Sequence, residues 1–170
     1  GTNWSTNVAP TNANKVNIPG SLARYPVLNT NASIQNLVVE AGATLTVNVS
    51  KELTINGSGN DASLSVNGTV ENNGTITVNQ VTSNTADAIQ LGGNGQFTNN
   101  AGATLTGATI GFYGIRVVGS AVLLNQVGGT LSFAGFSGSM FLSGSTSPEM
   151  VQNHGKMTLG GQMEKYAGLF

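Results

Sequence analysis

An all-β fold, a parallel β-helix (β-solenoid) with about three short strands per coil, is predicted by three features of this 170-residue chain. A strand-and-turn pattern returns about every 26 residues, apolar and small polar residues alternate within each copy, and Gly, Asn and Ser fill the gaps between copies. Alternation with a period of two means strands with one face buried and one wet. A fixed period of this length means stacked coils, each burying its apolar face against the next.

The period is read from three columns. The opening strands "LSVNG", "IQLGG", "IRVVG" and "MFLSG" begin at Leu64, Ile89, Ile115 and Met140, in steps of 25, 26 and 25 residues. A second column ends at Asn72, Asn99, Asn125 and Asn153, each preceded two places earlier by an apolar residue. The third is centred on Ile76, Leu105, Leu131 and Met157. Upstream, the pairs Leu37/Val39, Leu45/Val47 and Leu53/Ile55 continue the alternation at steps of 8 residues. These predict an earlier coil with tighter corners, preceded by "KVNIPG" and "RYPVLN" as the first turns.

The chain therefore reads as a single domain over 1–170. Residues 1–14, with Trp4 and Pro10 and no alternation, form a lead-in that caps the core. Residues 15–60 form the tighter first coils, and 61–170 the regular coils, the last incomplete. "AGLF" from Ala167 matches "DAIQ", "YGIR" and "GSMF", which predicts that another coil starts there and that the natural protein continues into further repeats.

Composition excludes several functions. Charged residues are 8% of the chain, against roughly 25% in ordinary soluble domains. The six basic residues are scattered singly, with no stripe to displace counterions from phosphates, so nucleic acid is not an expected partner. There is no cysteine for a disulfide or a thiolate metal site. No stretch approaches the roughly 20 apolar residues of a membrane span. The N-terminus lacks signal-peptide character, so either a leader has been removed or the sequence is an excised piece.

Chemistry is sparse. Glycan-cleaving enzymes need carboxylates at defined separation or a cationic base beside acidic metal ligands. Glu40, Glu52, Asp61, Glu71, Asp87, Glu149 and Glu164 do not recur at adjacent heights of one column. Asp61 and Asp87, 26 residues apart, are the one candidate acidic pair, and two turn-favouring residues before a strand is the simpler reading. The single histidine, His154, stands in a turn. The Gly-rich turns carry Asn where calcium repeats need Asp. No catalytic residue, metal site or cofactor is expected, although a polysaccharide lyase or hydrolase fragment is the enzymatic alternative.

Two surfaces are candidates for binding. Thr44/Thr46, Ser63/Ser65, Thr75/Thr77, Thr104/Thr106 and Thr130/Ser132 are expected to face outward. Stacked, they would make a flat hydroxyl surface suited to an ice plane or a carbohydrate chain, though outward Thr also simply favours strands. Phe112, Tyr113 and Arg116 cluster at one corner, where they either stack on sugar rings or cover a loop.

The N-terminal third, "NWSTNVAPTNANKVNIPG" followed by "RYPVLNTNASIQNLVVEAGATLTVN", resembles the lead-in of repeat-rich, adhesin-like surface proteins secreted by Bacteroidetes-type bacteria. Trp4, Ser5, Pro10, Val16, Ile18, Pro19, Tyr25, Pro26, Leu37, Glu40, Gly42, Ala43, Leu45 and Val47 carry the likeness, and the later Asn-Gly-Thr coils are similar to those of filamentous adhesins. The resemblance implies export by the type IX route and exposure at the bacterial cell surface. The expected function is that of a non-enzymatic structural or adhesive segment of a larger protein. A glycan-binding or glycan-active module is the alternative, and a self-assembling filament subunit is the second. The expected partners are accordingly surface glycans or other copies of the chain.

Overall fold

The computed structural model describes residues 8–80, 85–109, 112–134, 138–144, 150–160 and 163–165, and every regular element among them is a strand. The first coil holds β1 (Lys15–Ile18), β2 (Val27–Leu28) and β3 (Ala32–Ile34). The second holds β4 (Asn36–Val39), β5 (Thr44–Val47) and β6 (Glu52–Gly57), and the third β7 (Leu64–Val66), β8 (Thr69–Asn72) and β9 (Thr75–Gln80). The fourth comprises β10 (Ile89–Leu91), β11 (Gln96–Asn99) and β12 (Thr104–Thr109), and the fifth β13 (Tyr113–Val118), β14 (Val122–Asn125) and β15 (Thr130–Ala134). The sixth comprises β16 (Gly138–Ser143), β17 (Val151–Asn153) and β18 (Lys156–Gly160), and β19 (Met163–Lys165) follows.

Each strand pairs in parallel with the strand three places along the chain, giving one seven-stranded and two six-stranded sheets. We call them sheet A (β1 to β19), sheet B (β2 to β17) and sheet C (β3 to β18). This is the predicted parallel β-helix, and the three columns read from the sequence are its registers. Leu64, Ile89, Ile115 and Met140 are successive partners in sheet A. Asn72, Asn99, Asn125 and Asn153 are partners in sheet B, and Ile76, Leu105, Leu131 and Met157 in sheet C. The early coil is present as β4 to β6 but is not tighter: Leu37 lies 27 residues before its partner Leu64, against 25 or 26 in the coils that follow, and the short coil is the first, where Val16 lies 21 residues before Leu37.

Parallel sheets usually read as continuous apolar runs because helices cover both faces. Here the chain returns to each sheet through two other strands, so only the inner face is covered and alternation survives. Inward side chains of all three sheets, from Val16 to Met150, form one core. Each aliphatic side chain buried there contributes about 1.5–3 kcal/mol.

One expected register differs. Sheet A continues beyond Met140 with Met163, so the strand that follows β16 is "MEK" and not the "AGLF" segment aligned with it from sequence. The reason is the length of the last corner: Met163 follows Gly160 by three residues, whereas their sheet partners Met140 and Ala134 are six apart. The "AGLF" segment itself, and the Trp4 of the expected cap, lie outside the described residues.

The corners from sheet B to sheet C show why Gly recurs. Lys51, Ala103 and Gly129 donate backbone N–H groups to the carbonyls of Asn48, Asn100 and Gln126, closing four-residue turns at 3.1, 3.0 and 2.9 Å. The third residue of each has positive φ: Ser50 at 60°, Gly102 at 76° and Gly128 at 81°. That is the position of a type II turn that demands a left-handed backbone. Nothing lies within 4 Å of a Cβ built on Gly102, so Gly102→Ala isolates the conformational cost. It is expected to destabilise by about 1 kcal/mol, and Ser50→Gly to stabilise by less than about 1 kcal/mol, in urea unfolding. Equal midpoints for both variants and the parent would show that the left-handed residue carries no strain.

Beside these turns runs a buried asparagine ladder. Asn72 Nδ2 donates to Asn99 Oδ1, Asn99 Nδ2 to Asn125 Oδ1, and Asn125 Nδ2 to Asn153 Oδ1, at 2.8, 2.8 and 2.7 Å. The same amides also donate to the carbonyls of Thr104, Thr130 and Lys156, which open the strands of sheet C one coil further on. Each Asn thus ties its own coil to the next at the corner.

Candidate functional site

In the second and third coils the corners from sheet C to sheet A are the longest, with six residues between β6 and β7 and eight between β9 and β10. Their described residues stand beside the outer face of sheet A, Asp61 around one groove with Ser65 and Gln90, and Asp87 against Arg116. Along that face a single column runs through Val38, Ser65, Gln90, Arg116 and Phe141. Loops freed from the core carry chemistry more readily than the strands they join. Here the ridge and the column gather charged and aromatic side chains that the sequence scatters.

Arg116 and Tyr113 lie on β13, with Phe112 just before it. Arg116 Nε sits 2.8 Å from Asp87 Oδ2, and its guanidinium carbon lies 5.2 Å from the centre of the Tyr113 ring and 4.9 Å from that of Phe141. Tyr113 meets Phe112 edge-on at 4.5 Å and Phe141 tilted at 4.9 Å. A guanidinium over aromatic faces gains from the ring quadrupoles. Tyr113 is only 6% exposed, so its ring is covered by protein, whereas Phe112 is 45% exposed. The expected trio of Phe112, Tyr113 and Arg116 is therefore brought together, but chiefly as a brace: Asp87 precedes β10, Arg116 is on β13 and Phe141 on β16, which links three coils.

Burial pushes the Asp87 carboxyl above the ordinary carboxylate range, and the Arg116 charge and the Tyr113 amide only partly oppose it. The folded chain therefore holds this proton more tightly than the unfolded chain. The stability linked to Asp87 is greatest below the unfolded value and is lost as pH rises through the raised folded value. Asp87→Asn is expected to flatten the slope of stability against pH between mildly acid and neutral conditions, measured by urea unfolding. An unchanged slope would assign that titration to other groups.

Asp61 and Asp87 do not form the candidate acidic pair. Asp61 is exposed and pairs with Lys15 Nζ at 2.9 Å, while Asp87 engages Arg116. Each carboxylate finds a cation where a second carboxylate would repel it. His154 is exposed. Among the described residues, no three His, Cys, Asp or Glu side chains converge as a metal site, and no helix is long and apolar enough to cross a membrane.

The hydroxyl pairs separate. Thr75/Thr77, Thr104/Thr106 and Thr130/Ser132 stack in register on the outer face of sheet C. Thr44/Thr46 belongs to sheet B. Ser63 does not face outward: it is fully buried before β7, where Oγ donates to the Asn79 carbonyl at 2.8 Å. The corner turns it inward against Gly57, where any Cβ would fall 1.8 Å from its Oγ.

A groove of about 320 Å³ lies lower on the same face of sheet A, lined by Lys15, Asn36, Val38, Asp61, Ser65 and Gln90 among others. Asn36 is 3% exposed; its Nδ2 donates to the Ala62 carbonyl at 3.1 Å, and its Oδ1 lacks a partner among the described residues. Sequence reading missed this groove and the Asp87–Arg116 pair. Both were signalled by the repeat, because the 25- and 26-residue steps that align Ser65 with Gln90 and Gln90 with Arg116 place them at successive heights of one column.

Comparison with protein-family models, with curated proteins and with solved structures found no match to this chain.

Proposed function

We propose that this chain is a non-enzymatic structural and adhesive segment of a larger extracellular protein, displayed at a bacterial cell surface. The observation that carries this reading is the unbroken parallel register of all three sheets over one core, reinforced by the asparagine ladder. Such a stack resists bending and offers proteases few loose strands, because every inner strand is hydrogen-bonded on both sides. The low charge and the surface-protein likeness of the N-terminal third agree with a spacer that works outside the cell.

The test combines two measurements on the purified chain. Trypsin is expected to spare Lys51 and Arg116, which lie within the stacked coils, under conditions that digest an unfolded control. Incubation with a panel of polysaccharides is expected to release no reducing ends. Rapid cleavage at both sites would remove the structural reading, and sugar release abolished by Asp87→Asn would replace it with the enzymatic one.

A further inference from the structure

We propose that the groove on sheet A binds a neutral, extended oligosaccharide; this rests on the adhesive part of the reading above and names its ligand class. The floor is Val38, 36% exposed, which offers an apolar patch to the C–H face of a sugar ring. Above it in the column stand Ser65 and Gln90, half-buried, whose side chains make no hydrogen bond to other described residues. A free hydroxyl and a free carboxamide supply donors and acceptors together, which is the polar complement of a polyol. The wall adds Asn36, a buried amide whose orphan Oδ1 needs a donor, and a hydroxyl or a water held under the ligand supplies one.

Electrostatics select the kind of glycan. Lys15 and Asp61 cancel across the groove, and Arg116 and Asp87 cancel at the next height above Gln90. An acidic polysaccharide would find no unpaired cation among the described residues that line the groove, while a neutral chain finds only dipoles and an apolar floor. The column advances by the spacing of hydrogen-bonded strands, about 4.8 Å per coil, so an extended glycan along the axis meets Val38, Ser65 and Gln90 in succession. At about 320 Å³ the groove sits at the small end of the roughly 300–1,000 Å³ of small-molecule sites, which suits a short stretch of chain.

The test is titration calorimetry of the whole chain with neutral hexasaccharides of glucose, xylose and mannose, and with hexagalacturonate as the acidic probe. At least one neutral probe is expected to bind, Gln90→Ala to weaken it by roughly five- to tenfold, and Ser65→Trp, which fills the groove, to abolish it. Circular dichroism of both variants is expected to match the parent, since both side chains point outward. Absence of binding by every neutral probe, binding unmoved by both substitutions, or preference for the acidic probe would each overturn the proposal. A chain that resists trypsin and releases no sugar, yet binds no hexasaccharide, loses this groove and keeps its structural role.

Discussion

Asn99→Leu is expected to be among the most damaging single substitutions in this chain, costing about 3–5 kcal/mol from orphaned buried polar groups. Asn99 is fully buried at the middle of the ladder. Its two N–H bonds serve three acceptors: Asn125 Oδ1 at 2.8 Å, the Thr130 carbonyl at 3.0 Å and the Ala103 carbonyl at 3.3 Å. Its Oδ1 accepts from Asn72. Leucine keeps the branched four-atom skeleton of the side chain but returns none of these bonds, so Asn125 Oδ1 is left without its donor and the Asn72 amide loses one acceptor. Asn153→Leu, at the exposed end of the same ladder, is expected to cost about 1 kcal/mol or less. Guanidinium unfolding followed by circular dichroism distinguishes the two. Similar midpoints would mean that the ladder only decorates a corner that the backbone turns already hold.

Phe133→Ala is expected to cost about 3–5 kcal/mol through lost transfer energy and the cavity left behind. Phe133 is fully buried in β15, and its column in sheet C runs Val78, Gly107, Phe133, Leu159. A Cβ on Gly107 would fall 2.7 Å from Phe133 Cε1 and 2.2 Å from the Val78 carbonyl oxygen. The small residue below therefore makes room for the ring above, as close packing requires. Removing the ring leaves a void that Gly107 has no side chain to fill. Thermal unfolding of Phe133→Ala beside Phe112→Ala, whose ring is 45% exposed, provides the measurement. Comparable melting temperatures would show that the fifth coil collapses around the gap.

These two positions mark how far the sequence was legible. Asn99 was visible as part of a recurring column, but in a sequence Asn beside Gly reads first as a turn residue, and only the stacked corner shows it sealed from water. Gly107 occupies an inward position of an alternating strand, where its lack of a side chain looks like a gap in the pattern. Phe133, one coil above, turns that gap into a fit. The candidate site follows the same division. Phe112, Tyr113 and Arg116 were legible as a local cluster, whereas Asp87, Phe141 and the groove around Gln90 are distant in the chain and adjacent only through register.

The sequence by itself determined that the chain is a parallel β-helix, because a period of two inside a period of about 26 leaves each coil with an apolar face that only another coil can cover. It also determined which residues share a height, since the columns of the repeat are the registers of the sheets. What only the tertiary structure decided is the use to which the exceptions are put. Corner lengths vary from coil to coil, and they set whether Ser63 turns in, which strand follows β16, and which cation each carboxylate meets. Those outcomes depend on contacts between residues one or two coils apart, where a shift of a single residue at a corner exchanges an inward side chain for an outward one.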